Sequence, residues 1–262
     1  MGLILSYQIL ISTMHKSTQE VLSLLDKLNI NCDVLVVVQG DKEGFKKILT
    51  GKQIVEIIYS TERGLSKSRN LAIAHCTSKY AFIMDDDVLV SREALDRLVL
   101  NAEKEDLDVF TCSFLYENGN NSKPNLKSDF VHNFFTLAKV SSIEIGFKVD
   151  SIRKNKIRFN EEFGLGTKLP SGEEYVFLTD CLKKKLKIKF FPIVVGVHPN
   201  VTSGMDFYTT TSKILAKREM LKYIFKWKSP FFLLIFWLKK TPYLIKVGYW
   251  AKFSKVFLLG IK

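Results

Sequence analysis

The stretch that most constrains the fold is YAFIMDDDVLV, Tyr80–Val90, where a short apolar run ends in three consecutive carboxylates, Asp85, Asp86 and Asp87. A buried strand with aspartates at its carboxyl end is where an open α/β sheet presents ligands. Adjacent carboxylates repel one another unless a cation sits among them. Oxygen donors suit Mg2+ or Mn2+, which keep some waters and take substrate phosphates as further ligands. The competing reading is a solvated turn with Ser91 capping the next helix; its position directly after a buried-looking strand favours the metal. Just upstream, Thr61–Asn70 is a basic, Gly-containing segment carrying Arg63, Gly64, Lys67 and Arg69. The planar fork of Arg69 suits phosphate and Lys67 offers a point charge, whereas a structural pair with the aspartates is the other use for Arg69.

Around this stretch the pattern alternates. Gln8–Thr13 reads as a strand, Thr18–Leu28 has helical spacing through Val21, Leu22, Leu25 and Leu28, and Cys32–Val38 is a continuous apolar run suited to a buried parallel strand. Ile54–Tyr59 is a further strand, Ser66–Ala74 a helix, Ser91 to Lys104 a helix, and Val109–Tyr116 and Lys187–Val195 two more strands. Strands and helices in alternation with short loops imply a doubly wound α/β sheet. The strand ends at Thr13 and at Gln39–Asp41 then share an edge with the aspartates. Phe130–Ile145 resists assignment. The 262 residues allow one large domain with a short extension. Four scattered cysteines without a CxxC pair read as reduced core thiols in a cytoplasmic setting. The start, MGLILSYQILIST, reads as a first strand; Met1-Gly2 with Ser6 matches a myristoylation pattern only formally.

The order GLSKSRNLAI, strand, DDD, and later FGLGTKLPSGEEYVFLTDCLKKK before FFPIVVGVHP resembles the inverting family 2 glycosyltransferases of the GT-A fold, particularly bacterial enzymes that build surface polysaccharides. The resemblance spans roughly Ile9 to Pro199. It implies a GT-A catalytic domain over residues 1–205, a Rossmann-like mixed sheet flanked by helices. It places Thr13, Gln39 and Asp41 on the nucleoside, with Arg63, Gly64, Lys67 and Arg69 also among the nucleotide-sugar-binding residues. Asp85 and Asp87 become the outer pair of a DxD motif, with Asp87 on Mn2+ or Mg2+, Asp85 on ribose or a metal-bound water, Asp86 in either role, and His198 completing the metal site. Phe163, Gly164, Gly166 and Gly172 line the acceptor. An inverting transfer needs one base to take the acceptor hydroxyl's proton; the resemblance sets it on Glu174, with Glu173 as an acceptor or loop-orienting contact. The donor implied is a UDP-sugar and the acceptor a lipid-linked oligosaccharide, as in capsule or O-antigen synthesis.

From residue 213 onward the composition shifts to twelve lysines and arginines against one acid, Glu219. The longest apolar run there, Pro230–Leu238, is too short to span a bilayer, which takes about 20 helical residues. Trp227, Phe231, Phe232, Trp237, Tyr243, Tyr249 and Trp250 interleaved with lysine suit a helix or hairpin on an anionic membrane surface, at the inner face of the cell membrane. A helix packed on the core and a nucleic-acid surface are the rivals, the aromatics weighing against nucleic acid. Two other functions compete with glycosyl transfer: a sugar nucleotidyltransferase, whose Gly-rich amino-terminal loop is lacking here, and a non-catalytic membrane-bound sugar-nucleotide-binding module.

Overall fold

The computed structural model describes residues 6–51, 53–200 and 206–261; Met1-Gly2 and the boundary expected at residue 205 lie outside them. The chain runs β1 (Tyr7–Met14), α1 (Thr18–Lys27), β2 (Val34–Gln39), β3 (Gly44–Thr50), β4 (Gln53–Ser60), α2 (Leu65–His75), β5 (Tyr80–Met84), β6 (Leu89–Val90), α3 (Arg92–Lys104), β7 (Val109–Tyr116), β8 (Phe130–Val131), α4 (Phe134–Leu137), β9 (Ile145–Lys148), α5 (Val149–Lys154), α6 (Glu173–Lys183) and β10 (Ile188–His198). Three helices follow, α7 (Thr211–Phe225), α8 (Ser229–Lys246) and α9 (Trp250–Leu259).

The strands form one mixed sheet in the order β3-β4-β2-β1-β5-β9-β7-β10-β6, with β8 added alongside β10. β1 is parallel to β2 on one side and to β5 on the other. The winding therefore reverses at β1, and the crevice at such a reversal lies outside the strands' carboxyl ends. Alternation explains why these strands hold the centre. Ile9 and Ile11 pack towards α1 and α3, while Leu10, Ala81 and Ile83 pack towards α2 and α6. Both faces are covered, and each fully buried Val, Ile or Leu contributes about 1.5–3 kcal/mol.

Besides the two-residue strands β6 and β8, both antiparallel to β10, two longer elements depart from a simple doubly wound sheet. Gly44–Thr50 is an edge strand, antiparallel to β4, and largely exposed. Its Lys46-Lys47 pair, which protects such an edge from pairing with another chain, also breaks the apolar run that would mark it in sequence. The unassigned region Phe130–Ile145 supplies β8 and α4 and ends where β9 begins, and β9 enters the sheet antiparallel between β5 and β7. At four residues, β9 is too short to show a period.

The basic extension is a helical layer packed on the sheet domain. Ile214 and Met220 of α7, Leu233 and Leu244 of α8, and Phe253 and Phe257 of α9 join the buried cluster that contains α6 and one sheet face. Packing on the core and an apolar outer side thus coexist, since Trp227 remains 83% exposed, Phe231 63% and Ile245 61%. No described helix is long and apolar enough to cross a membrane.

Candidate active site

The loops after β1, β2 and β5 bring together the nucleoside-side residues expected from the sequence. Thr13 Oγ1 donates to Asp86 Oδ2 at 2.5 Å. Gln39 is buried and its Nε2 donates to the Gly64 carbonyl at 2.9 Å, tying the β2 end to the turn before α2. Arg63 Nη2 donates to Asp41 Oδ1 at 3.0 Å, and its Nη1 lies 3.2 Å from His15 Nε2. His15 carried no expectation, yet it follows β1 directly and joins this edge; its place two residues past Thr13 was the available signal. Lys67 stands 3.9 Å from Glu62.

The motif at the start of α2 has a second role. Ser66, Arg69 and Asn70 are spaced i, i+3 and i+4, so they share one helix face, and all three are buried. Ser66 Oγ donates to the Phe163 carbonyl at 2.6 Å. Asn70 Nδ2 donates to the Phe159 carbonyl at 2.9 Å, and its Oδ1 accepts from the Phe159 N–H at 2.8 Å. The helix therefore holds the 159–174 segment in place.

Arg69 sits between the two halves of the site. Nη1 donates to Glu173 Oε1 at 3.2 Å and reaches Glu174 Oε1 at 3.4 Å, while Nη2 reaches Asp85 Oδ1 at 3.3 Å. The fork expected on phosphate is thus engaged by three carboxylates, at 3% exposure. Asp85 also accepts from Ser142 Oγ at 3.2 Å, so it faces Arg69 and Ser142 within the site.

The two glutamates open α6, where backbone N–H groups and the helix dipole favour negative charge. They differ in access: the side chain of Glu173 is 5% exposed and that of Glu174 20%. Glu173 Oε2 is buried without a hydrogen-bond partner. Burial, then repulsion from Glu174, pushes its carboxyl up to about 8 despite Arg69. Glu174 is the more open of the two carboxylates.

Asp87 and His198 form the remaining group. His198 ends β10, and its Nε2 is 3.8 Å from Asp87 Oδ1. Partial burial raises the Asp87 carboxyl pKa, and His198 opposes the shift. Among the described residues no three His, Cys, Asp or Glu side chains form a metal cage. A carboxylate beside an imidazole still fits a divalent ion whose other ligands are phosphate oxygens and water.

The acceptor-side expectations need one correction. Phe163 is 1% exposed and its ring packs edge-on to Tyr223, so it serves the core and is not a surface for a sugar. Gly164 and Gly172 are required by the close packing of this segment. At Gly164, with φ +105°, a Cβ would lie 3.1 Å from Ser66 Oγ; at Gly172, with φ +99°, it would lie 2.7 Å from Met220 Sδ. Gly166 alone of these glycines is exposed.

The last contact brings the extension into the site. Met220 of α7 lies over Gly172, and one turn earlier Lys217 comes within the field of Glu174 and Glu173. Burial pushes the Lys217 ammonium pKa down and the two glutamates pull it back. Lys217 makes no ion pair among the described residues. Its distance of more than 40 residues from the glutamates hid this in sequence.

A mixed sheet whose winding reverses beside clustered aspartates, faced by a helix opening on two glutamates, defines the GT-A class of sugar-transferring folds. The sequence profile described as "Glycosyl transferase family 2" matches residues 16–164, and the chain belongs to that family of glycosyltransferases. No curated protein matches the sequence. Solved structures of Staphylococcus aureus TarS share the fold. The structure of TarS residues 1–349 is 14% identical with TM-score 0.56, covering 84% of this chain and 66% of that one. A longer TarS structure is 17% identical with TM-score 0.58, covering 85% of this chain and 44% of that one. The complex of TarS 1–349 with UDP-GlcNAc is 16% identical with TM-score 0.54, covering 97% and 82%. The chain thus spans less than half the length of the longer TarS structure.

Proposed function

We propose that this glycosyltransferase is metal-dependent and inverting, and moves a sugar from a UDP-sugar to a hydroxyl of a lipid-linked oligosaccharide in bacterial surface-polysaccharide synthesis. The observation that carries the reading is Arg69, whose guanidinium joins Asp85 on the donor side to Glu173 and Glu174 on the acceptor side. TarS structures with UDP and with UDP-GlcNAc support the choice of nucleotide. In the transfer Glu174 accepts the acceptor hydroxyl's proton, the hydroxyl oxygen bonds to the anomeric carbon, and the bond to the donor phosphate breaks on the opposite face. Asp87 and His198 would hold Mn2+ or Mg2+, which when bound offsets charge on the departing diphosphate. The remaining residues bind and orient. Arg69 holds Glu174 towards the acceptor side, and Thr13, Asp41 and Arg63 form the nucleoside edge. The outer aromatic side of α8 and α9 supports peripheral association with the inner face of the membrane.

The test is a panel of nucleotide sugars offered to purified protein with and without Mn2+, using wild type, Asp87→Ala and Glu174→Gln. Metal-dependent binding of one donor, lost in Asp87→Ala and kept without transfer in Glu174→Gln, is the expected result. Failure of every donor to bind under either condition would overturn the reading.

A further inference from the structure

At the far end of α6 from Glu174, about 14 Å along the helix axis at 1.5 Å per residue, an open cavity of ≈ 550 Å³ lies between α6, the 156–161 segment and α7. Lys156, Arg158, Lys183 and Lys184 line it against two carboxylates, Glu161 and Asp180. Both carboxylates are already engaged. Asp180 accepts from Lys183 Nζ at 3.0 Å and from Tyr223 Oη at 2.8 Å, and Glu161 accepts from Arg158 at 3.3 Å and Asn70 at 3.0 Å. Lys156 and Lys184 have no ion pair among the described residues, so the cavity carries uncompensated positive charge.

The floor is ordered. Tyr223 is held by Asp180, by the Phe163 ring at 6.3 Å, and by Lys183 Nζ lying 5.0 Å over its ring. Four residues after Tyr223, past the end of α7 at Phe225, stands Trp227, 83% exposed and lining a second cavity of ≈ 540 Å³ with Lys228, Pro230, Phe231 and Phe232. Only four residues of chain, Tyr223 to Trp227, separate the lining of the basic cavity from that of the aromatic one. Anionic headgroups meeting lysine while aromatic rings enter the headgroup boundary is the chemistry of a bilayer surface. Duplex nucleic acid would place its phosphates on the same lysines, but its bases are already stacked inside the helix and leave Phe231, 63% exposed, without a partner.

We propose that this cavity binds the phosphate headgroup of an anionic lipid while Trp227 and Phe231 enter the bilayer beside it. The proposal rests on the peripheral-membrane reading above and adds a site to it. It gives the enzyme a fixed orientation: the headgroup cavity and the catalytic glutamates lie at opposite ends of one rigid helix.

The experiment is vesicle flotation of the full chain with phosphatidylcholine alone and with equal parts phosphatidylcholine and phosphatidylglycerol. Wild type should float with the anionic vesicles. Lys156→Gln with Lys184→Gln should weaken that binding by about tenfold or more, since each surface lysine supports binding to an anionic leaflet. Trp227→Ala should weaken it too, and glycerol phosphate in solution should not release the protein. Unchanged binding by the double lysine variant would overturn the cavity assignment alone, as would release by soluble glycerol phosphate, which would make this a site for a free anion. Equal binding to neutral vesicles would overturn the headgroup requirement while leaving peripheral association standing. A wild type that floats with neither vesicle would overturn both. Because both lysines are exposed, the variants should melt as wild type does.

Discussion

The proposed donor edge and the proposed acceptor side of this site are built in opposite ways. On the donor edge Asp41 and Asp87 have side chains 87% and 50% exposed. Each follows a strand and keeps open access to solvent, with Asp41 paired among the described residues only to the half-exposed Arg63, and Asp87 lying 3.8 Å from His198. On the acceptor side Arg69 and Glu173 are 3% and 5% exposed, and α2, the 159–174 segment and α7 meet around them. One half is open to solvent; the other is already assembled, with one guanidinium shared among three carboxyl groups inside the protein. A buried network holds its geometry because breaking it leaves unpaired charge.

The sharpest way to test that contrast is Glu174→Gln, which keeps the shape of the acceptor side and removes its base. We expect kcat to fall 10²- to 10⁴-fold, with donor affinity unchanged, in a single-turnover assay. A fall in donor affinity instead would show that the two halves are not separable.

Next in size is Phe253→Ala. Phe253 is fully buried where α9 meets α7 and α8, and truncation there should cost about 3–5 kcal/mol. If the extension is part of the assembled half, denaturant unfolding stays a single transition with a lower midpoint. Separate unfolding of the extension would break the comparison.

A pH series of melting temperatures probes Glu173. Its carboxyl is held up to about 8 in the folded chain against an ordinary 4.5. Between these values the folded protein keeps a proton that the unfolded chain releases, so wild-type stability should fall as pH rises from about 4.5 to about 8. Glu173→Gln removes that slope. The variant should melt above wild type at alkaline pH, and the gap should close towards pH 4.5; equal slopes would mean that Glu173 is ionised in the fold.

The smallest expected effect belongs to Lys217→Met, which keeps the stem and removes the ammonium. The acceptor KM should rise by about tenfold, the scale of one charge-assisted contact, with the donor KM steady. A change confined to the donor would move Lys217 to the other half.

The same division separates what could be read in the chain from what could not. Short apolar runs buried on both faces made β1, β2 and β5 visible, and the residues directly after them follow because a strand's end delivers its next side chains to the sheet edge. Asp85–Asp87, Thr13 and Gln39 were legible for that reason. The pair Glu173-Glu174 was visible as the acidic first turn of a helix. Packing alone decided the rest. Phe163 looks like a loop residue but fills the core, Arg69 faces carboxylates, and β9 enters the sheet centre with four residues. His15 reaches Arg63 from 48 residues away, and Lys217 comes from a helix that sequence alone set apart. Local pattern determines which segments become strands and helices, because periodicity records which side is buried. Which side chain meets which charge is decided only when separate segments close on one another, since that choice depends on distances that no spacing along the chain encodes.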